Sequence, residues 1–128
     1  MQISPKKLSR QQKKDIFKKL YQVLADLKKP DDIAAFLDNV LTPIEKTAIA
    51  KRLNIVFYLK KGKSYSFIKD NLGVSSATIS SIQKEMENSP GFTLALETIE
   101  TDEWASQWAQ KITDLFKSFS LKKVQTPV

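Results

Sequence analysis

The stretch that decides the fold of this chain is Leu72-Gly73-Val74-Ser75-Ser76-Ala77-Thr78-Ile79-Ser80. Gly73 suits a tight turn in which the backbone adopts a positive φ. The pattern predicts a short helix from Tyr65 to Leu72, capped by Ser64, and a second helix that is capped by Ser75 or Ser76 and runs to about Glu87. Two short helices joined by a glycine-led turn are typical of a helix-turn-helix.

The two sides of the second helix differ in character. Apolar residues on its inner side and on the first helix are expected to pack together: Ile68, Leu72, Val74, Ile79, Ile82 and Met86. Its outer side carries small or polar residues, which can approach base edges closely: Ser76, Ala77, Ser80, Ser81 and Lys84. An ordinary αα-hairpin is the alternative. The lysines at or just before the motif favour a nucleic-acid contact instead: Lys60, Lys61, Lys63 and Lys69.

The chain before this motif also predicts helices. Ser9 and Gln12 form a capping-box pattern at the start of a first helix, which Pro30 ends, and Asp31 is expected to cap a second. The segment Thr42-Pro43-Ile44-Glu45 is the sharpest helix start. Apolar residues at helical spacing predict buried stripes on the first and third helices: Ile16, Phe17, Leu20, Leu24 and Leu27, then Ile49, Leu53, Val56 and Phe57. With no convincing strand, the predicted fold class is all-α.

The chain after the motif predicts two more helices. Ser89-Pro90-Gly91 ends the second motif helix, a short helix follows, and another is expected to start at Thr101-Asp102-Glu103. The last one carries a broad apolar stripe: Trp104, Trp108, Ile112, Leu115, Phe116 and Phe119. We expect this stripe to pack in the core of a dimer. The alternatives are packing on its own domain or on Phe17 and Tyr21 of the first helix, a partner surface, and a small-molecule pocket under the tryptophans.

Composition excludes several classes of function. The chain has 128 residues with no cysteine and no histidine, which excludes disulfides, thiolate zinc sites and the commonest general base. Three glycines are too few for a phosphate-cradling loop. No apolar run suits a membrane span or a signal peptide, so we expect a cytoplasmic protein that is not an enzyme and needs no metal or cofactor.

Charge is divided unevenly along the chain. Residues 1–84 hold 17 basic and 7 acidic residues, a net charge of +10, whereas residues 85–128 hold 4 basic and 7 acidic residues, a net charge of −3. These two charges add up to the net charge of +7 for the whole chain. A basic region of this size indicates a polyanionic partner, either nucleic acid or an anionic membrane surface.

The residues around the motif resemble the Trp repressor family, in particular its Trp-repressor-like regulators without a proven corepressor. The resemblance rests on these segments: Leu41-Thr42-Pro43-Ile44-Glu45, Ala48, Arg52, Ile55-Val56, Gly62-Lys63-Ser64 and residues 72–80. It is good over residues 31–88, weaker over 9–29 and 91–100, and does not extend to 101–128. It implies three regions: an N-terminal basic helix and dimerisation arm (1–29), a Trp-repressor-like helix-turn-helix domain (30–100), and a C-terminal aromatic helix and tail (101–128).

The resemblance implies a homodimer that places paired helices in successive major grooves of palindromic double-stranded DNA, with half-sites about 34–36 Å apart. Family DNA contacts fall on Ser66, Lys69, Ser76, Ala77, Thr78 and Ser80. Lys63 and Lys84 are added as phosphate contacts, and Ser64 and Ser75 lie at the same surface. The expected function is sequence-specific transcriptional regulation, as a repressor. The alternative is a nucleoid-type or replication-initiation-related module of low sequence specificity.

The resemblance also locates a small-molecule pocket and raises a doubt about its ligand. Of the two arginines that flank the corepressor in tryptophan-responsive members, one matches Arg52 and the other falls on Ser81. A glycine beside the second falls on Ile82, whose bulk fills the space that an indole ring needs. A carboxylate ligand loses one charge-assisted partner, about 1.5–3 kcal/mol. We therefore expect no useful tryptophan binding, and the effector of the Arg52 and Ser81 pocket stays open.

Overall fold

The computed structural model describes residues 3–125, with side chains left out for 101, 102, 104, 105, 108 and 120–125. Its described part contains six helices and no strand: α1 (Arg10–Asp26), α2 (Pro30–Val40), α3 (Pro43–Lys60), α4 (Tyr65–Leu72), α5 (Ser76–Asn88) and α6 (Pro90–Gln125). The predicted all-α class is confirmed. Within this part of the chain, no helix combines the length and apolar character needed to cross a membrane.

The chain forms two compact units, residues 1–48 and 49–128. In the first unit, the capping box at Ser9 and Gln12 starts α1 as predicted. Thr42 and Glu45 likewise cap each other at the start of α3, since each backbone N–H donates to the other's side-chain oxygen. Neither α1 nor α2 contains a buried residue. The apolar stripe of α1, which was expected to be buried, is therefore not buried within its own unit.

The second unit is built around a small apolar core. Among the side chains that the structure describes in this unit, five are buried, two from α3, one from α4 and two from α5: Ile55, Val56, Ile68, Ile79 and Ile82. Partly buried apolar residues surround them, among them Leu72, Val74, Met86, Phe92 and Leu96. The predicted inner side of the helix-turn-helix is thus correct, because every residue proposed for it belongs to this cluster or packs against it.

Three local predictions were wrong. Asp31 does not cap α2, because Pro30 already occupies the first helical position and Asp31 lies in the first turn after Lys29. On α3 the predicted Val56 is buried and Leu53 and Phe57 are half-buried, but Ile49 is 52% exposed, and Ile55, which the predicted stripe left out, is buried. Apolar residues occur on more than one side of α3, so spacing alone did not identify the side that packs against α4 and α5.

The third error concerns the C-terminal part, where one helix replaces two. α6 runs without a break from Pro90 to Gln125. No proline or glycine follows Gly91 in this range, and Thr101 continues the helix instead of starting a new one. The side chains of Trp104 and Trp108, predicted to pack within a dimer, lie outside the described residues. The predicted three-part division of the chain remains a prediction.

Candidate nucleic-acid interface

The helix-turn-helix is held by caps at each helix start and by a left-handed glycine between the helices. The Ser64 hydroxyl accepts a hydrogen bond from the Phe67 N–H, and the Ser75 hydroxyl accepts one from the Thr78 N–H, both at 3.1 Å. Gly73 has φ 62° and ψ 54°. Residues with a Cβ avoid this region, so the sharp turn depends on glycine. These caps and this turn set the direction in which α5 leaves α4.

Two contacts that sequence reasoning missed brace the motif from outside the core. The Lys51 ammonium on α3 donates a hydrogen bond to the Gly73 carbonyl at 3.3 Å. The Tyr65 hydroxyl, at the start of α4, hydrogen-bonds to the Gln83 side chain on α5. Both contacts join residues 18 or more positions apart. No local pattern could therefore have found them.

The outer side of α5 is open to solvent. Ser76, Ala77, Thr78, Ser81 and Lys84 are exposed, and Ser80 is half-buried. On the other side Ile79 is 0% and Ile82 5% exposed, so α5 cannot rotate without uncovering its core residues. The Thr78 hydroxyl is hydrogen-bonded to the Ser75 hydroxyl at 2.9 Å, which fixes its position at the start of the helix.

The remaining predicted contact residues lie on or next to α4. Ser64, Ser66 and Lys69 are exposed, and Lys69 lies in the last turn of the helix. The Lys63 ammonium is 4.9 Å from the centre of the Phe67 ring, which in turn meets the Tyr58 ring edge to face at 5.3 Å. This aromatic contact leaves Lys63 exposed, so its charge remains accessible to a phosphate.

Next to the outer side of α5, the two predicted effector residues line one cleft. This cleft has a volume of about 420 Å³ and is lined by Arg52, Ala77, Thr78, Ser81, Ile82, Glu85 and Phe92. A neighbouring cleft of about 520 Å³ shares Arg52, Glu85 and Phe92. The side chains of Ile82 and Phe92 supply apolar walls, and Glu85 sets a negative charge beside the single arginine. A carboxylate ligand therefore meets one attractive and one repulsive group here.

Comparison with known proteins gives a consistent result. Residues 15–100 match the family model described as Trp repressor protein. The chain is 27% identical over 88 residues to the uncharacterized protein YerC of Bacillus subtilis (strain 168), which covers 68% of this chain and 85% of that protein. No solved structure matches the chain significantly. The family model spans well over half of the chain, including the complete helix-turn-helix and its core. The chain is therefore a member of the Trp repressor family.

Proposed function

We propose that this protein is a transcriptional repressor that binds double-stranded DNA sequence-specifically as a homodimer and does not respond to tryptophan. Membership of the Trp repressor family, a family of DNA-binding regulators, supports this proposal. The observation that carries the finer proposal is the outer side of α5. It is an exposed surface of small and hydroxyl side chains on a helix whose other side is locked into the core by Ile79 and Ile82.

The proposed contacts divide into two groups. Lys63, Ser66, Lys69 and Lys84 would bind phosphates and set the register of the protein on DNA. Ser76, Ala77 and Ser80 would face base edges, with Thr78 in either role. α5 carries no arginine, so the bidentate contact to guanine is not available from it. Sequence preference would come from hydroxyl contacts, water and DNA shape.

The homodimer is supported by the apolar surface that one copy leaves exposed on its first helix. On α1, Ile16, Phe17 and Leu20 are 49%, 48% and 38% exposed. An amphipathic helix of this length is stabilised mainly by packing of its apolar side, which in a single copy is missing. A second copy that covers α1 would also supply the second α5 for a palindromic site.

Independence from tryptophan is supported by the cleft next to α5. Ser81 lacks the charge of a second arginine, and Ile82 belongs to the buried core. The indole ring of a corepressor would have to displace this side chain. We propose that the position of α5 is set by the protein's own apolar residues.

Selection of bound duplexes from a random library tests the function. A palindromic consensus is expected, with the same motif and affinity in the presence and absence of L-tryptophan. Recovery of no motif would replace the proposal with a nucleoid-type or replication-related module of low specificity. A motif that is recovered only with tryptophan would show that the cleft still accepts the corepressor.

Two variants then test the assignment of surfaces. Lys69→Ala is expected to weaken binding to all duplexes and to reduce the salt slope of binding by about 1 per lost phosphate contact. Ser80→Ala is expected to change the preferred sequence and leave the salt slope unchanged. Fluorescence anisotropy at several salt concentrations measures both. If neither variant alters duplex binding, the assigned surface is wrong.

A further inference from the structure

α6 continues well beyond the part of the chain that the family accounts for. The family model ends at residue 100, whereas α6 extends without interruption to Gln125. Every described side chain from 106 to 119 is exposed. Four of them are large and apolar: Ile112, Leu115, Phe116 and Phe119 are 47%, 69%, 69% and 61% exposed. We call these four residues the α6 stripe.

The direction of the α6 stripe excludes the helix's own unit as the surface that covers it. Phe92 and Leu96 pack against the core. Ile99 is half-buried, and Glu103 forms a salt bridge with Lys61 at 3.7 Å. With about 3.6 residues per turn, this side of α6 continues through positions 107, 110 and 114. Those positions are polar, and the Gln110 amide donates to the Asp114 carboxylate at 3.0 Å.

The opposite side of α6 is the one that carries the stripe. Leu94 is 63% exposed and therefore faces away from the core. Ile112 follows it by 18 residues, which is about five complete turns, so the two side chains point in the same direction. Leu115, Phe116 and Phe119 follow Ile112 by three, four and seven residues, so they lie on the same side of the helix. After residue 103, the side of α6 that continues from Phe92 and Leu96 is therefore polar, and the apolar side faces away from the core.

We infer that the α6 stripe pairs with the same stripe of a second copy and forms a self-association surface outside the residues that the family model matches. Phe116 and Phe119, at about 150–250 Å² each and 69% and 61% exposed, offer about 260 Å² per copy, to which Ile112 and Leu115 add. Complete coverage of the stripe in two copies would bury about 1,000 Å², which is the lower limit for a specific interface. The stripe positions carry no charge, so two copies can meet without an unpaired buried ion.

The spacing of the stripe allows an antiparallel pairing of two copies. The spacing 112, 115, 119 alternates between three and four residues, as in a coiled-coil seam. In an antiparallel pair centred between Ile112 and Leu115, each Ile112 meets the partner copy's position 115. Phe116 then lies near the small side chain of position 109.

Measurement of the mass in solution tests this inference without DNA. The variant Ile112→Glu with Leu115→Glu is expected to have half the mass of the wild-type assembly by light scattering. The matched control is Gln107→Glu with Thr113→Glu, which adds the same charge on the polar side of α6 and is expected to keep the wild-type mass. An unchanged mass in the stripe variant overturns the inference and points to a different protein as the occupant.

A second measurement guards against loss of folding in the stripe variant. Because the chain has no cysteine, a single introduced thiol reports on one position. Leu115→Cys is expected to cross-link efficiently between copies with a short bis-maleimide, whereas Thr113→Cys is not. Equal cross-linking at both positions contradicts the pairing. A fall from four chains to two indicates a second interface that persists, as proposed for α1, whereas a fall from two to one shows that α1 does not hold the dimer without the α6 stripe.

Discussion

At the scale of single residues, Lys51 is the side chain whose effect on DNA binding is best isolated. Its ammonium donates to the carbonyl of Gly73 and so holds the turn between α4 and α5 from the side of α3. We expect Lys51→Met to lower affinity for the selected operator several-fold while the salt slope stays unchanged, because the lost contact is within the protein and not to a phosphate. Hydrogen exchange at the Gly73 and Val74 amides should become faster.

The control for this prediction is the conservative variant. Lys51→Arg keeps a donor and a long side chain, and is expected to restore most of the affinity and of the amide protection. A salt slope that falls in Lys51→Met as it does in Lys69→Ala would instead make Lys51 a direct phosphate contact.

Residue roles that depend on neighbours in sequence could be predicted, and those that depend on distant contacts could not. Ser64, Ser75 and Gly73 act within three residues of the groups they serve, so their type and position reveal the caps and the turn. Lys51 acts on a residue 22 positions away. Only packing brings these two together, and in the sequence nothing distinguishes Lys51, which is half-buried, from the other lysines of the chain.

At the scale of elements, the start of α3 has a stability that depends on pH. The hydrogen bond from the Thr42 backbone N–H, followed by that from the Thr42 hydroxyl, lowers the pKa of Glu45 below its ordinary value of 4.5. A carboxylate with a lowered pKa stabilises the folded state fully above its unfolded pKa. This stabilisation is lost as the pH falls through the lower pKa of the folded state.

Thermal unfolding of Glu45→Ala against wild type checks this expectation. The wild-type advantage should be constant above pH 4.5 and should shrink below it. Glu45→Gln keeps an oxygen that accepts from the Thr42 N–H but cannot ionise, so its difference from Glu45→Ala should not vary with pH. An advantage of wild type over Glu45→Ala that is independent of pH would contradict the proposed role of the ionised carboxylate.

Element starts could be predicted where a Ser or Thr cap is present, whereas the prediction failed at Asp31 and where the only cue was a run of acidic residues. The starts of α1, α3, α4 and α5 each follow a Ser or Thr cap. In contrast, the expected start at Thr101 rested on acidic residues that also suit a helix interior. A threonine followed by acids does not stop a helix that is already formed, because all backbone hydrogen bonds can continue through it.

At the scale of the whole molecule, the uneven charge predicts binding that is sensitive to salt. Lys63, Lys69 and Lys84 give three candidate phosphate contacts per copy, hence six in a homodimer. Six contacts imply that affinity falls about 10³-fold between about 50 and 200 mM salt. Anisotropy titrations with the selected operator measure this fall. The variant Ile112→Glu with Leu115→Glu serves as a control and should show the same fall per dimer, since its changes lie outside the contact set. An affinity that hardly changes with salt would contradict the proposed phosphate contacts.

The all-α class and the family could be predicted from residues 31–88 alone, because the helix caps and the turn glycine of the helix-turn-helix lie in that stretch. The apolar surface that a single chain leaves uncovered could not be predicted. The stripe of α1 was expected in a core, yet α1 has no buried residue in one copy. Spacing shows that a helix has an apolar side, but it does not show whether that side meets its own chain or another.

The unbroken course of α6 has a mechanical consequence. A helix advances about 1.5 Å and turns about 100° with each residue, so α6 is a rod about 54 Å long with a set rotational phase. Removing one residue between Glu103 and Ile112 would rotate the α6 stripe by about 100° around the helix axis relative to α5. The number of residues in this segment therefore sets the direction in which the α6 stripe points. Insertions or deletions keep that direction only when they add or remove nearly whole helical turns.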